Sequence, residues 1–385
     1  MKIVKKILKW LFLVVIILNA LIIFPGKTYL YKAVANTYLK GRGGPTISEY
    51  TIFSNREVKA SPTPQEWPLS TRYNKKTISE NNIHEFEKYE TIAYLIVKND
   101  SIIYEQYWDG YNENSITNSF SMAKTFVSML VGIAIEEGKI KSMDDPVANY
   151  LPDYSSEDGK KLTIKHLLTM SSGINFDENY KNPLAYPAYA YYGTDLKELT
   201  YKYKITEEPG KVFKYLSGNT ELLALTLEKA VGKPISEYAS EKLWIPMGAK
   251  NTAYWSLDHE NGMEKAYCCF NSNARDFSRF GQLYLKNGNW KGKQLVPEQY
   301  VKNSIKPADL LTVKGKKNKI YGYSWWLVDY KNHNLFYARG IAGQYIFVIP
   351  DMNMVVVRLG KKRDMDYEDH PDDIFIYLDA ALEMF

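Results

Sequence analysis

SMAKTFVSMLVGIAIEEG, residues 121–138, opens on a serine and a lysine three residues apart. It runs on as a helix that is apolar nearly all round, through Phe126, Val127, Met129, Leu130, Ile133 and Ile135. Such a helix is buried, so the core fixes whatever stands at its first turn. Upstream, TIAYLIVKNDSIIYEQYW (residues 91–108) holds two β-rich stretches around Asn99-Asp100, the signal of a hairpin. Downstream, to about Leu285, IKHLLTMSSG and TELLALTLEKAVGKP continue the helical pattern with glycine or proline stops. After Tyr321 the strands return as YGYSWWLVDY, NLFYARG, QYIFVIP and MVVVRLG, and DDIFIYLDAALEMF closes the chain as a helix. Joining the late strands to the first hairpin gives an α+β unit: an antiparallel sheet flanked by terminal helices, with a large all-helical insert over about 121–285. The boundary between sheet and insert is where a cleft is expected.

At 385 residues, with 45% hydrophobic and 24% charged side chains, the chain can bury a sizeable core, and it has no internal repeat. Its net charge of +5 is concentrated at the amino terminus, where residues 1–26 hold Lys2, Lys5, Lys6 and Lys9 and no acid. The remainder, 45 basic against 44 acidic residues, lacks the basic field that nucleic acid requires. After the lysines, Trp10 to Phe24 is an apolar run broken by Pro25-Gly26. It reads as a signal peptide or an uncleaved anchor, and the lack of a small-x-small cleavage site favours the anchor, with the body outside the cytoplasm. Residues 27–90, with Pro45, Pro62, Pro64 and Pro68, read as an extended linker or wrapping segment, and 91–385 as the folded domain.

Cys268 and Cys269 are adjacent, with Cα atoms about 3.8 Å apart, closer than an unstrained disulfide uses, so no disulfide framework is expected. Five scattered histidines and the absence of Cys-x-x-Cys or His-Glu-x-x-His give zinc no support, and no cofactor is expected.

Ser121-Met-Ala-Lys124 is the only Ser-x-x-Lys in the chain, with caps available at Asn118 and Ser119. Three residues apart on a helix, the amine approaches the hydroxyl, and a lysine in an apolar site can lose its proton and act as base. A plain buried helix start is the alternative. Tyr215, in the loop FKYLSGN before a helix, is a second candidate: a phenol near a lysine can relay a proton, although any one of 32 tyrosines can simply pack. In YARGIAGQ (337–344), small residues between two strands leave room for a substrate. The backbone N–H groups of Ile341 and Ser121 would make an oxyanion hole, unless the stretch is only a glycine turn. His166, inside an apolar helix run, reads as a core histidine, and Trp325 and Trp326 as core or wall.

Taken in order, Ser-x-x-Lys, Tyr-x-Ser and a glycine-bearing third strand resemble the serine hydrolases related to class C β-lactamases and penicillin-binding proteins. The resemblance is closest to the branch of 6-aminohexanoate-dimer hydrolases and family VIII-type esterases, on HLLTMSSGI (166–174), YLSGNTELLA (215–224), CCFNSNARDFSRFGQLYLKNG (268–288), YGYSWW (321–326) and ARGIAGQYIFVIPD (338–351). It covers roughly residues 91–385, and LKGRGGPTISEY (39–50) is similar to an extension found in that branch. It implies a β-lactamase/transpeptidase-like fold, with Ser121 as acylated nucleophile, Lys124 as its base, Tyr215 as proton relay and the amides of Ser121 and Ile341 as oxyanion hole. Ser217, Arg339, Gly340, Gln344 and Tyr180 are the substrate-binding candidates, with Asp177 and Glu178 beside Tyr180 in a loop that is substrate-facing in the resembling family. Tyr186, Tyr189, Tyr191 and Tyr192 shape an acyl wall or pack. Relatives that hydrolyse β-lactams carry Tyr-x-Asn and Lys-Thr-Gly, whereas Tyr-Leu-Ser and Ala-Arg-Gly stand here. Arg339 therefore either recognises a substrate carboxylate or pairs with a local acid, the latter favoured.

The expected function is an exported serine hydrolase cleaving an ester or amide through an acyl-enzyme at Ser121. A cell-wall DD-peptidase or D-alanyl esterase is the second reading, and a catalytically silent wall-binding or sensing module the third. The expected partners are a small-molecule or cell-wall-derived substrate and, through the amino-terminal helix, the membrane. The expected location is the extracytoplasmic face of a bacterial envelope, anchored or released to the periplasm.

Overall fold

In the computed structural model, which describes residues 1–365 and 368–385, the β-rich runs form one six-stranded sheet. Its strands are β1 (Thr91–Lys98), β2 (Ser101–Tyr107), β3 (Trp326–Tyr330), β4 (His333–Gly340), β5 (Gln344–Ile349) and β6 (Met354–Gly360). They lie in the order β3-β4-β5-β6-β1-β2, every pair antiparallel. The late strands thus join the opening hairpin through β6 and β1, in the register Val357 opposite Leu95 and Val355 opposite Val97.

Both faces of this sheet are covered, which is why its central strands read as unbroken apolar runs. Even-numbered β6 residues Met354 and Val356 pack with Tyr94, Ile96, Phe347 and the closing helix, Asp373–Met384, through Ile374, Tyr377 and Leu378. Odd-numbered Val355 and Val357 face Phe277 and Phe280 of the helix Ala274–Leu285. Gly281 of that helix allows a close approach, since a Cβ there would lie 2.6 Å from Val355. The α+β architecture with terminal helices on the sheet is therefore as expected.

Three further helices matter for the site, and we number them α1 (Lys2–Ile23), α2 (Tyr29–Asn36) and α3 (Ala123–Glu136). Helix α3 is buried over Ala123–Ala134, as its all-round apolarity requires. None of the 22 residues of α1 is buried, and at about 33 Å it is long enough to cross a bilayer. It extends back through the lysines, beyond the Trp10–Phe24 run.

The middle of the chain is mostly helical but also carries strands of a second sheet, in the order Asn55–Val58, Ala253–Ser256, Phe270–Ser272, Thr117–Asn118. Segments of two to four residues are too short for alternation to be read in sequence. Residues 27–90 are correspondingly more structured than an extended linker: they contain α2, the helix Glu80–Lys88 and the strand Asn55–Val58, paired with Ala253–Ser256. A correction concerns the cysteines, since Cys268 and Cys269 are joined to each other. Cys269 adopts φ +67°, which departs from the extended geometry that separates neighbouring side chains. The bond links no distant segments.

Candidate active site

The nucleophile candidate stands on a strained turn. The short strand Thr117–Asn118 enters it, Phe120 has φ +45°, and a single 3₁₀ turn, Phe120–Met122, leads into α3. A positive φ at a bulky residue costs on the order of 1–3 kcal/mol and persists only where the surroundings impose it. They do so through Asn118, whose Oδ1 accepts from Phe120 N (2.8 Å) and Cys269 N (3.2 Å). Asn118 thus acts as the expected cap for this turn, whereas the Ser119 hydroxyl donates to Phe120 O.

One turn later, the Lys124 side chain is 1% exposed. Its Nζ lies 3.1 Å from Ser121 Oγ, 3.3 Å from Ser217 Oγ and 2.8 Å from the carbonyl of Tyr267. Burial lowers the amine from its ordinary value to about 8, while the Glu178 and Glu221 carboxylates oppose the fall. The result is a base titrating near neutrality beside a hydroxyl. Ser217 opens the helix Ser217–Val231, and the Glu178 carboxylate takes both its N–H (2.7 Å) and its hydroxyl (2.6 Å). An anion at a helix amino terminus satisfies otherwise orphaned donors and is favoured by the helix dipole. Tyr180 donates to the same carboxylate at 2.7 Å, which ties two of the substrate-binding candidates to Glu178.

Tyr215 reaches the same centre from the loop before that helix. Its ring lies 5.2 Å from Lys124 Nζ, 5.2 Å from the ring of Trp326 and 5.9 Å from that of Tyr321. YGYSWW thus supplies the wall holding it, while Trp325 is wholly buried in the core. Burial raises the Tyr215 phenol to about 12, against the opposing pull of the Ser121 hydroxyl and the Arg339 charge. The phenol therefore stays protonated at neutral pH and can hand on a proton only as a neutral hydroxyl.

The third side is the end of β4. A Cβ on Gly340 would stand 2.3 Å from Ser119 O and 3.2 Å from Phe120 Cβ, so only glycine lets this strand lie against the nucleophile turn. Gly340→Ala is expected to push the turn away. A misplacement of about 1 Å costs on the order of 10²-fold in rate, and overpacking about 1–3 kcal/mol. Ester-hydrolysis kinetics and denaturant unfolding measure the two.

Beyond Gly340 the chain turns through Ile341–Gly343, with Ala342 at φ +58°. Arg358, fully buried on β6, pins this turn by donating to Gly343 O (2.7 Å) and Ala342 O (3.2 Å), and it also holds Tyr89 O (2.6 Å). Gln344 is fully buried, with Nε2 donating to Gly360 O (2.7 Å) and Ile341 O (3.3 Å). These bonds tie the Ile341 turn to the end of β6. Arg339 lays its guanidinium on the Trp326 ring, 3.3 Å from the centroid, and donates to the carbonyl of Asp369 at 3.2 Å. His166 is a capping residue, accepting from Thr163 N at 3.2 Å, and its pKa is lowered by burial. Asp177 is exposed and accepts from Asn179 N at 3.1 Å.

Ser121, Lys124, Tyr215, Ser217, Tyr180 and Gly340 are thus brought together. Glu178, a loop candidate in the sequence, joins Ser217 to Tyr180, while the sequence reading names neither the Tyr267 carbonyl nor Arg358. Only the last had a local signal, a lone charge inside the apolar strand MVVVRLG. Among the described residues no group of histidine, cysteine or carboxylate side chains is arranged to hold a metal.

A family model described as Beta-lactamase matches residues 80–380. A 6-aminohexanoate-dimer hydrolase of Paenarthrobacter ureafaciens is 25% identical over 293 residues, covering 72% of this chain and 74% of that protein. A Bacillus anthracis structure provisionally assigned as a 6-aminohexanoate-dimer hydrolase superposes with TM-score 0.74 at 24% identity, over 88% of this chain and 92% of the other. A family VIII carboxylesterase structure superposes with TM-score 0.66 at 15% identity, over 83% of this chain and 99% of the other. Since the family match spans the sheet, the Ser-x-x-Lys turn and the closing helix alike, the chain belongs to the Beta-lactamase family of serine hydrolases, which act on amide and ester bonds.

Proposed function

We propose that the protein is an exported, membrane-tethered serine hydrolase that cleaves an ester or amide through an acyl-enzyme on Ser121. The observation that carries this reading is the buried Lys124 amine, 3.1 Å from Ser121 Oγ and lowered to about 8. Neutral Lys124 takes the proton from Ser121 as Oγ bonds to the substrate carbonyl carbon. The N–H groups of Ser121 and Ile341 stabilise the resulting oxyanion. The bond to the leaving group then breaks, and the departing oxygen or nitrogen receives its proton through the Tyr215 hydroxyl. Water next adds to the acyl carbon with Lys124 again as base, releasing the carboxylic acid and restoring Ser121. Export is supported by the four lysines in the first turns of α1 and the apolar run that completes this helix, none of whose residues is buried.

Rapid mixing with a 4-nitrophenyl ester tests the covalent step. A burst of nitrophenolate stoichiometric with enzyme is expected when deacylation is the slower step. Hydrolysis with neither a burst nor an acylated protein after quenching, at a rate that Ser121→Ala leaves unchanged, would contradict the reading.

A further inference from the structure

One cavity is lined by Ser121 and a second adjoins it at Tyr180, and their walls differ in kind. The first, about 140 Å³ and open to solvent, is lined by Ala33 and Thr37 and by Pro187, Ala188, Tyr191 and Tyr192. Ser121 and Ile341 also line it, and among the described residues Lys181 is its one charged lining side chain. The second is a broad trough along the 312–319 loop, lined by Tyr215, Trp326 and Arg339. Six of its lining residues are basic (Lys214, Lys314, Lys316, Lys317, Lys319, Arg339) and three acidic (Glu178, Glu368, Asp369); Lys214, Lys314 and Lys317 are ion-paired with Glu207, Glu368 and Asp309, so Lys316 and Lys319 carry most of its anion-binding character. Tyr180 belongs to both walls and so stands between them.

Chemistry gives this pair of cavities a direction. The group that protonates a departing atom must face it, and Tyr215 lines the trough but not the apolar cavity. The leaving group therefore lies in the basic trough. The acyl part lies on the Ile341 side, where the cavity offers aromatic and small side chains and no carboxylate to meet a cation. This excludes a good fit for an acyl group that ends in an ammonium. The rim contributed by Ala33 and Thr37 belongs to α2 and its end, and α2 follows the bilayer-length α1 after five residues. Helix α2 is held to the cavity wall by the Tyr29 ring stacked 4.3 Å from that of Tyr189 and by Tyr29 donating to Pro183 O at 2.9 Å.

From this juxtaposition we infer that the substrate is an amphiphile: an ester or amide joining an apolar acyl chain, seated between α2 and Tyr191–Tyr192, to an anionic leaving group along the 312–319 lysines. The inference rests on the acyl-enzyme reading above and specifies its substrate.

The test uses the full-length protein in lipid nanodiscs with 4-nitrophenyl esters from acetyl to decanoyl. Each methylene that enters the cavity should raise kcat/KM by about fourfold until the cavity is full. Ala188→Trp, which fills the cavity, should lower the octanoyl-to-acetyl ratio at least tenfold, an effect that substrate partitioning into lipid would not produce. For the leaving group, the octanoyl ester of 4-hydroxybenzoate should be preferred at least threefold over that of 4-hydroxybenzamide. That preference should fade in 1 M salt and be lost in the double variant Lys316→Glu, Lys319→Glu. A chain-length profile unmoved by Ala188→Trp overturns the acyl cavity, and equal rates for the two octanoyl esters overturn the anionic leaving group. Ser121 labelling by a small fluorophosphonate, measured on the same preparation, separates the causes: labelled protein with those results leaves the hydrolase reading standing, and unlabelled protein overturns both.

Discussion

Ser121→Ala is expected to lower kcat/KM for a 4-nitrophenyl ester by at least about 10⁴-fold, since loss of the nucleophile removes the covalent route and leaves only binding and oxyanion stabilisation. The side chain is half-buried, and its hydroxyl has Lys124 Nζ at 3.1 Å and the Tyr215 phenol as partners to lose. The folding free energy should therefore change by only about 1–3 kcal/mol. Phe120 and Asn118 keep the turn in place without the hydroxyl, because the bond from Phe120 N to Asn118 Oδ1 does not involve it. Steady-state kinetics together with denaturant unfolding check this pairing of a large loss of rate with a small change in stability.

Lys124→Met carries the second large effect. General-base catalysis contributes about 10²–10⁴-fold, and methionine keeps the length and apolar stem while removing the amine, so a loss in the upper part of that range is expected. Lys124→Arg should not restore activity, because a guanidinium stays protonated at every accessible pH. In the wild type only the neutral amine accepts the Ser121 proton, so kcat/KM should rise with pH through an apparent pKa near 8. Glu178 holds that value up, and removing its charge must lower it. Glu178→Gln is therefore expected to move the acidic limb of the pH profile to lower pH, whereas a merely structural role for Glu178 would lower the rate without moving the limb.

Much of this architecture is legible in the sequence, for reasons that also mark where legibility ends. The strands of the main sheet are buried on both faces and announce themselves as runs such as YIFVI and MVVVRLG, and α3 by its apolarity on every side. Ser121 and Lys124 are readable together because one helical turn fixes their spacing. Tyr215 is readable only in company with them, and its neighbours Trp326 and Tyr321 come from a segment a hundred residues away. Glu178 lies 39 residues from Ser217, in a loop whose charges look like those of any solvated surface. The Tyr267 contribution is a backbone carbonyl, which no side-chain pattern can report. Gln344 meets a related limit: its position beside the glycine-bearing strand is legible, but that its amide turns toward Gly360 is decided by packing against β6. The cysteine pair depends on one residue adopting positive φ.

The same comparison explains how the site is held. The proposed nucleophile stands on a strained turn that needs support from several directions, and it comes from Asn118, the bare backbone of Gly340 and the buried α3. Arg358 and Gln344 extend that support to the Ile341 turn. These groups touch no substrate, yet they set the geometry on which an oxyanion hole depends.

The central claim, that Ser121 is an activated nucleophile, is tested most directly by intact-protein mass spectrometry after exposure to a fluorophosphonate, with Ser121→Ala alongside. One adduct per wild-type chain, mapped to Ser121 and absent from the folded variant, is the result this account predicts. Folded wild-type protein that takes up no label, or a variant that is labelled equally, would contradict it.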